Sequence, residues 1–183
     1  MLPSQTQFFR LIPAEFLTTS HYIFGQVKVT NTGMIGVLSD LRTNYMEVKD
    51  ANLARVQTPD VVINYSPLMW VVKDRLVAVC LNKREHIGPS PLQRGGYVNI
   101  AKYPVQITTT VYELEGFLEW AGRFEFSAFM AEGVNDFIIV YNAVLVSTQY
   151  PSLKIEKPAM LFHRSYLDTL VVSKKGIQEI SPG

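Results

Sequence analysis

The sequence predicts a mainly β protein of the β-rich α+β kind. It reads as two tandem, pseudo-twofold-related small barrel-like units, residues 1–91 and 92–183, each carrying one short helix. Three observations predict this. The chain repeats itself at a nearly constant offset, each repeat is a series of short Thr-, Tyr-, Ile- and Val-rich runs between turn residues, and each sets a glycine inside its most strand-like run.

Pro13…Thr18-Thr19…Gly25 stands 91 residues before Pro104…Thr109-Thr110…Gly116, without a gap. Tyr45–Leu53 lies against Phe137–Leu145 one residue further on, and Pro67-Leu68-Met69 meets Pro158-Ala159-Met160 back at the first offset. Lys73 then faces Arg164, Leu76 faces Leu167, and Lys83-Arg84 faces Lys174-Lys175. Collinear blocks of this kind are hard to obtain by accident, and the length differences between them fall where loops belong.

Taken in order, Thr18–Val29 and Thr108–Trp120 read as strands in which Gly25 and Gly116 mark a bend or a close backbone approach. The turns Asn31-Thr32-Gly33 and Ala121-Gly122 follow. Leu38-Ser39-Asp40-Leu41 and Phe126-Ser127-Ala128-Phe129 come next, each expected to open a short helix capped by its serine, with Gly133 closing the second. Asp40 in this reading favours the positive end of the helix dipole rather than acting as a base. Strands are expected near Met46–Val56 and Asp136–Ser147. A tight final pair follows in each unit: Met69–Val72 and Leu76–Leu81 about Lys73-Asp74-Arg75, then Leu161–His163 and Leu167–Val172 about Arg164-Ser165-Tyr166. So small a sheet leaves unpaired edges unless it closes or pairs with a neighbour.

Composition narrows the function. Apolar residues make up 48% and charged residues 18%, enough apolar side chain for a core and too little charge for disorder. A net charge of +1 is not the basic excess that phosphate contacts usually demand. Cys80 is the only cysteine, so no intrachain disulfide forms, and its apolar setting predicts a buried, inert thiol. Pro3, Arg10 and Pro13 interrupt any signal-peptide pattern. The apolar stretch Phe137–Val146 is too short to span a bilayer. A cytoplasmic protein without a membrane span is the expectation.

The chemistry-bearing residues do not assemble into a motif. His21, His86 and His163 have no neighbour at metal-ligand spacing and are assigned structural roles. Nucleophile elbows, phosphate loops and zincin motifs are absent. Arg94-Gly95-Gly96-Tyr97 reads as a linker between the units. No catalytic residue, metal or cofactor is therefore assigned, and the chain is not expected to be an enzyme. Tyr45, Tyr65, Trp70, Tyr97 and Tyr166 lie beside cations or turns, a mixture that suits interfaces and stacking platforms.

Gly25, Leu38-Ser39-Asp40-Leu41 and Val48-Lys49-Asp50-Ala51 resemble the pattern of an uncharacterised bacterial tandem-repeat domain, which brings no activity with it. In a weaker way, Gly25, Val48-Lys49-Asp50-Ala51 and Val72-Lys73-Asp74-Arg75-Leu76 are similar to the Sm-like small β-barrels. So are Gly116, Val140-Tyr141-Asn142-Ala143 and His163-Arg164-Ser165-Tyr166-Leu167. That resemblance implies a barrel. The family's base-contacting Asn position falls on Tyr45 and Phe137, and its Arg-Gly step becomes Lys73-Asp74 and Arg164-Ser165, so RNA binding does not transfer with the fold.

The leading expectation is a non-enzymatic interaction or scaffold protein that engages a protein partner or itself. The second is a nucleic-acid-binding module of Sm-like type using Lys73, Arg75 and Arg164 with Tyr45 and Tyr166. The third is a small-ligand site in the cleft between the units.

Overall fold

The computed structural model describes residues 8–89, 99–131, 136–173 and 177–180. The strands are β1 (Arg10–Leu17), β2 (His21–Val29), β3 (Tyr45–Arg55), β4 (Thr58–Val72), β5 (Ala78–Leu81) and β6 (Ile100–Thr108). They continue with β7 (Tyr112–Ala121), β8 (Phe137–Ser147), β9 (Lys154–His163), β10 (Thr169–Val172) and β11 (Gln178–Ile180). Among the described residues two short helices, α1 (Gly33–Leu38) and α2 (Phe126–Ala131), follow β2 and β7. Single 3-10 turns cover Lys73–Arg75, Arg84–His86 and Arg164–Tyr166. The chain is thus mainly β, as predicted.

The strands form one open antiparallel sheet in the order β10-β6-β7-β8-β9-β5-β1-β2-β3-β4, with β11 also paired to β6. The order β5-β1-β2-β3-β4 of the first five strands recurs as β10-β6-β7-β8-β9 in the next five. Two hydrophobic clusters sit along this sheet. One gathers Ile12, Phe16, Val27, Met34, Val48 and Leu76. The other gathers Ile107, Tyr112, Leu114, Phe129, Leu145 and Met160. Each also takes residues from the opposite half of the chain: Tyr141 and Leu161 enter the first, Leu17 and Cys80 the second.

The inward–outward alternation along β3 breaks at one place. In β3, Met46 and Val48 face inward, then Ala51 and Ala54, so the inward phase slips between Lys49 and Asp50. There Asp50 adopts a left-handed backbone (φ 48°), and the β2–β3 register shifts between Phe24 and Gln26. The matching place on β7–β8 has Asn142 at φ 47° and a shift between Glu115 and Phe117. Asp and Asn tolerate this conformation better than other side chains, and an extra residue on one strand bends it. Gly25 and Gly116 sit opposite these bulges. A Cβ on Gly25 would lie 2.6 Å from Val48 Cγ1 and 2.7 Å from Lys49 O; on Gly116 it would lie 2.6 Å from Val140 Cγ1 and 2.7 Å from Tyr141 O. The glycines are there for close approach, as their position inside a strand predicts.

Several expectations need correction. The group Phe126-Ser127-Ala128-Phe129 does open a helix, α2, with Ser127 inside its first turn rather than before it as a cap, whereas Ser39 stands at the C-terminal end of α1, where its Oγ donates to Ile35 O (2.6 Å). Asp40 therefore follows a helix rather than starting one, and its carboxylate accepts from Arg42 instead (2.7 and 2.9 Å). That guanidinium holds the Asp40 carboxyl well below the usual carboxylate range. Thr18 and Thr19 lie in the turn joining β1 and β2 rather than within a strand, and β1 and β6 are strands beyond those expected. β4 also begins at Thr58 and β9 at Lys154, well before the tight final pairs. Gly133 and the Arg94–Tyr97 element lie outside the described residues.

Candidate functional site

The two halves of the chain join along a buried seam with polar groups at its rims. β5 is buried along its whole length, flanked by β1 on one side and by β9 on the other. Across the β5–β9 seam the register is Ala78↔Phe162, Val79↔Leu161, Cys80↔Met160 and Leu81↔Ala159. All eight side chains are fully buried. Polar groups lock the seam's rims. Lys157 Nζ donates to Glu15 Oε1 (2.5 Å) and Asn82 Oδ1 (2.6 Å), while Tyr22 Oη donates to Glu15 Oε2 (2.7 Å). Burial, reinforced by that carboxylate, pushes the Tyr22 phenol far above its ordinary range, so it stays a donor. Tyr112 Oη donates to Thr18 O (2.6 Å). Arg84 pairs with Glu119 (2.6 Å) and stacks over the Tyr141 ring at 3.9 Å.

The sequence-predicted binding residues gather near one end of this seam, around the 3-10 turns that follow β4 and β9. Tyr45 begins β3 opposite Val72, and Lys73 N donates to Asn44 O, so Tyr45 and Lys73 are neighbours. Tyr166 Oη donates to Asp74 O (3.1 Å), which brings the second turn against the first. Two of the three cations are used structurally. Lys73 is buried, and its Nζ donates to Asp40 O (2.8 Å) and Thr43 O (2.9 Å), tying down the segment after α1. Desolvation lowers its pKa from the usual lysine value. Arg164 Nη1 donates to Phe129 O (3.2 Å) and Met130 O (2.8 Å), satisfying end carbonyls of α2. Lys73 and Arg164 thus do the same work in different halves. Arg75 is exposed, Tyr45 is 44% exposed, and Tyr166 is half-buried with its ring edge-on to His163.

His163 is buried, and its Nδ1 accepts from Ser165 Oγ (2.7 Å) and Ser165 N (3.3 Å), capping the last 3-10 turn. Burial lowers its pKa, which keeps the ring neutral and an acceptor. Among the described residues no group of three His, Cys, Asp or Glu could hold a metal ion. No helix among them is long and apolar enough to cross a membrane. Cys80 is fully buried, and desolvation raises its thiol pKa far above the ordinary value.

Two features were not predicted from the sequence. The first is the outer strand β4, which ends the sheet and leaves Val61, Val62, Ile63, Tyr65, Trp70 and Val72 exposed. Its signal was the apolar run between Asp60 and Asn64, but nothing in a single sequence tells an edge from an interior strand. The second is a shallow concavity of about 350 Å³ on β6, β7, β8 and β10, lined by Gln106, Glu115, Gly116, Asn142, Val171 and Ser173 among others. It belongs to the second half of the chain and does not lie in a cleft between halves. A scan of protein-family models and searches of curated proteins and of solved structures match nothing to this chain.

Proposed function

We propose that this protein is a non-catalytic interaction module made of two duplicated, barrel-like units, residues 1–91 and 92–183, that recruits protein partners by strand addition along β4. The observation that carries this reading is β4 itself. It is a fifteen-residue strand at the open end of the sheet with an apolar outward face. Soluble proteins usually protect such an edge with charge, short length or a covering loop, because unpaired backbone groups template pairing with another chain. Here the exposed stretch Val61–Ile63 and the exposed rings of Tyr65 and Trp70 carry no charge between Asp60 and Lys73. Interfaces are enriched in such aromatic side chains. The barrel-like reading of each unit is supported by the two bulges, which bend the sheet at matching places, and by the separate core clusters. The nucleic-acid reading has less support, since Lys73 and Arg164 already hold backbone carbonyls of their own units.

The test is site-specific photocrosslinking in the producing cell, with the reactive group at Tyr65. The expected result is one or a few discrete protein adducts that vanish when the group is moved to the turn residue Gln57. Absence of any discrete adduct from Tyr65 would remove the proposal.

A further inference from the structure

We infer that β4 of one copy pairs with β10 of a second copy, repeating between molecules the seam that β9 and β5 make within one. The inference rests on the duplicated-module reading above and names its partner. In the sheet order, β9 and β4 are counterparts, as are β5 and β10. The inner members are paired; the outer members, β4 and β10, are the two ends of the sheet path. Each molecule therefore shows at one end the edge that its own middle has already matched with the type shown at the other.

Four details support the fit. The register transfers at the 91-residue offset to Thr169↔Val71, Leu170↔Trp70, Val171↔Met69 and Val172↔Leu68. Trp70 (61% exposed) and Val171 (57%) hold the places of Leu161 and Cys80, which the inner seam buries completely. Proline does not forbid the pairing. Pro158 directly precedes the paired stretch of β9, just as Pro67 precedes Leu68 on β4.

The concavity on the second half supplies the fourth detail. Gln106, Gly116, Val171 and Ser173 that line it are the counterparts of Glu15, Gly25, Cys80 and Asn82. In the first half Lys157 of β9 reaches into that place and binds Glu15 and Asn82. The counterpart of Lys157 on β4 is Ser66. The concavity is thus the seat that an incoming β4 would fill, with Ser66 facing Gln106 and Ser173 and with Glu115 beside Gln106 in the same lining. A net charge of +1 puts no strong repulsion between copies. Because the two edges differ, the contact is head-to-tail and builds a closed ring or a filament rather than a twofold dimer.

The experiment uses the purified full chain. Sedimentation and light scattering from about 1 to about 100 μM should show assemblies of more than one copy that grow with concentration, with a blue shift of Trp70 emission as it is buried. Ser66→Glu should weaken assembly by about tenfold or more, through repulsion from Glu115, and Ser66→Lys should strengthen it. For register, copies carrying Met69→Cys are mixed with copies carrying Val171→Cys, and Trp70→Cys with Leu170→Cys, the two pairs lying on opposite faces of the strands. At least one mixture should yield an intermolecular disulfide, with Cys80 buried and silent. A chain that stays monomeric at the highest concentration overturns the inference, as does assembly with no link from either mixture. A link from Trp70→Cys copies alone would also overturn it, in favour of twofold pairing. In each of those cases a foreign-protein adduct at Tyr65 would leave the interaction-module reading standing.

Discussion

Replacing Lys157 by methionine should loosen the junction between the two halves. The Lys157 and Glu15 side chains are only 17% and 18% exposed, and the ammonium serves both Glu15 and Asn82. The shorter, uncharged thioether would fill much of the same space but would leave the Glu15 carboxylate with the Tyr22 hydroxyl as its remaining side-chain partner. Breaking a fully buried pair costs about 3–5 kcal/mol; with the residual exposure here we expect about 2 kcal/mol. With a urea slope of about 2 kcal/mol per molar, the unfolding midpoint should fall by about 1 M. Glu15→Gln should cost less, about 1 kcal/mol, because Lys157 keeps Asn82. The double variant should lose at least about 1 kcal/mol less than the sum of the singles, which is the coupling energy of the pair. Urea unfolding followed by far-ultraviolet circular dichroism at one fixed protein concentration measures all three. A Lys157→Met loss below about 0.5 kcal/mol, or simple additivity of the two substitutions, would refute the view that this ion pair holds the seam.

Gly25→Ala and Gly116→Ala should each cost about 1–3 kcal/mol, because the new methyl meets a backbone oxygen at 2.7 Å that cannot swing away. Gly122→Ala, at φ +68° with open space around it, should cost about 1 kcal/mol from backbone strain alone, and equal losses at all three positions would contradict the close-approach argument. His163 has a folded-state pKa below its unfolded value, so the unfolded chain takes up the proton first. Its contribution is complete above about pH 6.5 and is lost as pH falls below that. His163→Gln, which keeps an acceptor for Ser165, should flatten the fall in stability between about pH 7 and pH 5, and an unchanged slope would count against a buried neutral imidazole. Cys80 should react with a thiol reagent only at the rate of global opening, and labelling as fast as that of an unfolded chain would show that β5 is not enclosed.

Much of the architecture was legible because it rests on local chemistry. Gly25 and Gly116 announced the bend, and the Asp50 and Asn142 blocks turned out to be the bulges facing them. Placement of the first helix failed for an instructive reason. A serine beside an apolar group looks the same at either end of a helix, and in α1 the Oγ bonds back to Ile35 O at the C-terminal end rather than capping forward. β1 and β6 were missed because each carries a proline, Pro13 and Pro104, which lowers strand propensity even where the neighbouring strand tolerates it. At the candidate site, Lys73 and Arg164 were found by type and spacing, yet their partners are backbone carbonyls 30 to 35 residues away, which no pattern reveals. The Glu15–Lys157 pair spans 142 residues and left no trace in either segment alone.

The strand order also has a consequence for how the chain is made. β5 is finished while β9, its neighbour in the completed sheet, is still some seventy-three residues from emerging, as Leu81 and Lys154 stand that far apart. During that interval a nascent first half displays β5 with one side bare and β4 with its apolar edge bare. On a crowded message another nascent chain also offers β5 a matching strand, since its β4 is the counterpart of the missing β9. Two such chains can exchange partners before either is complete, the same physics that drives swapping in repeat proteins. Closure of each chain upon itself then competes with pairing between neighbouring nascent chains.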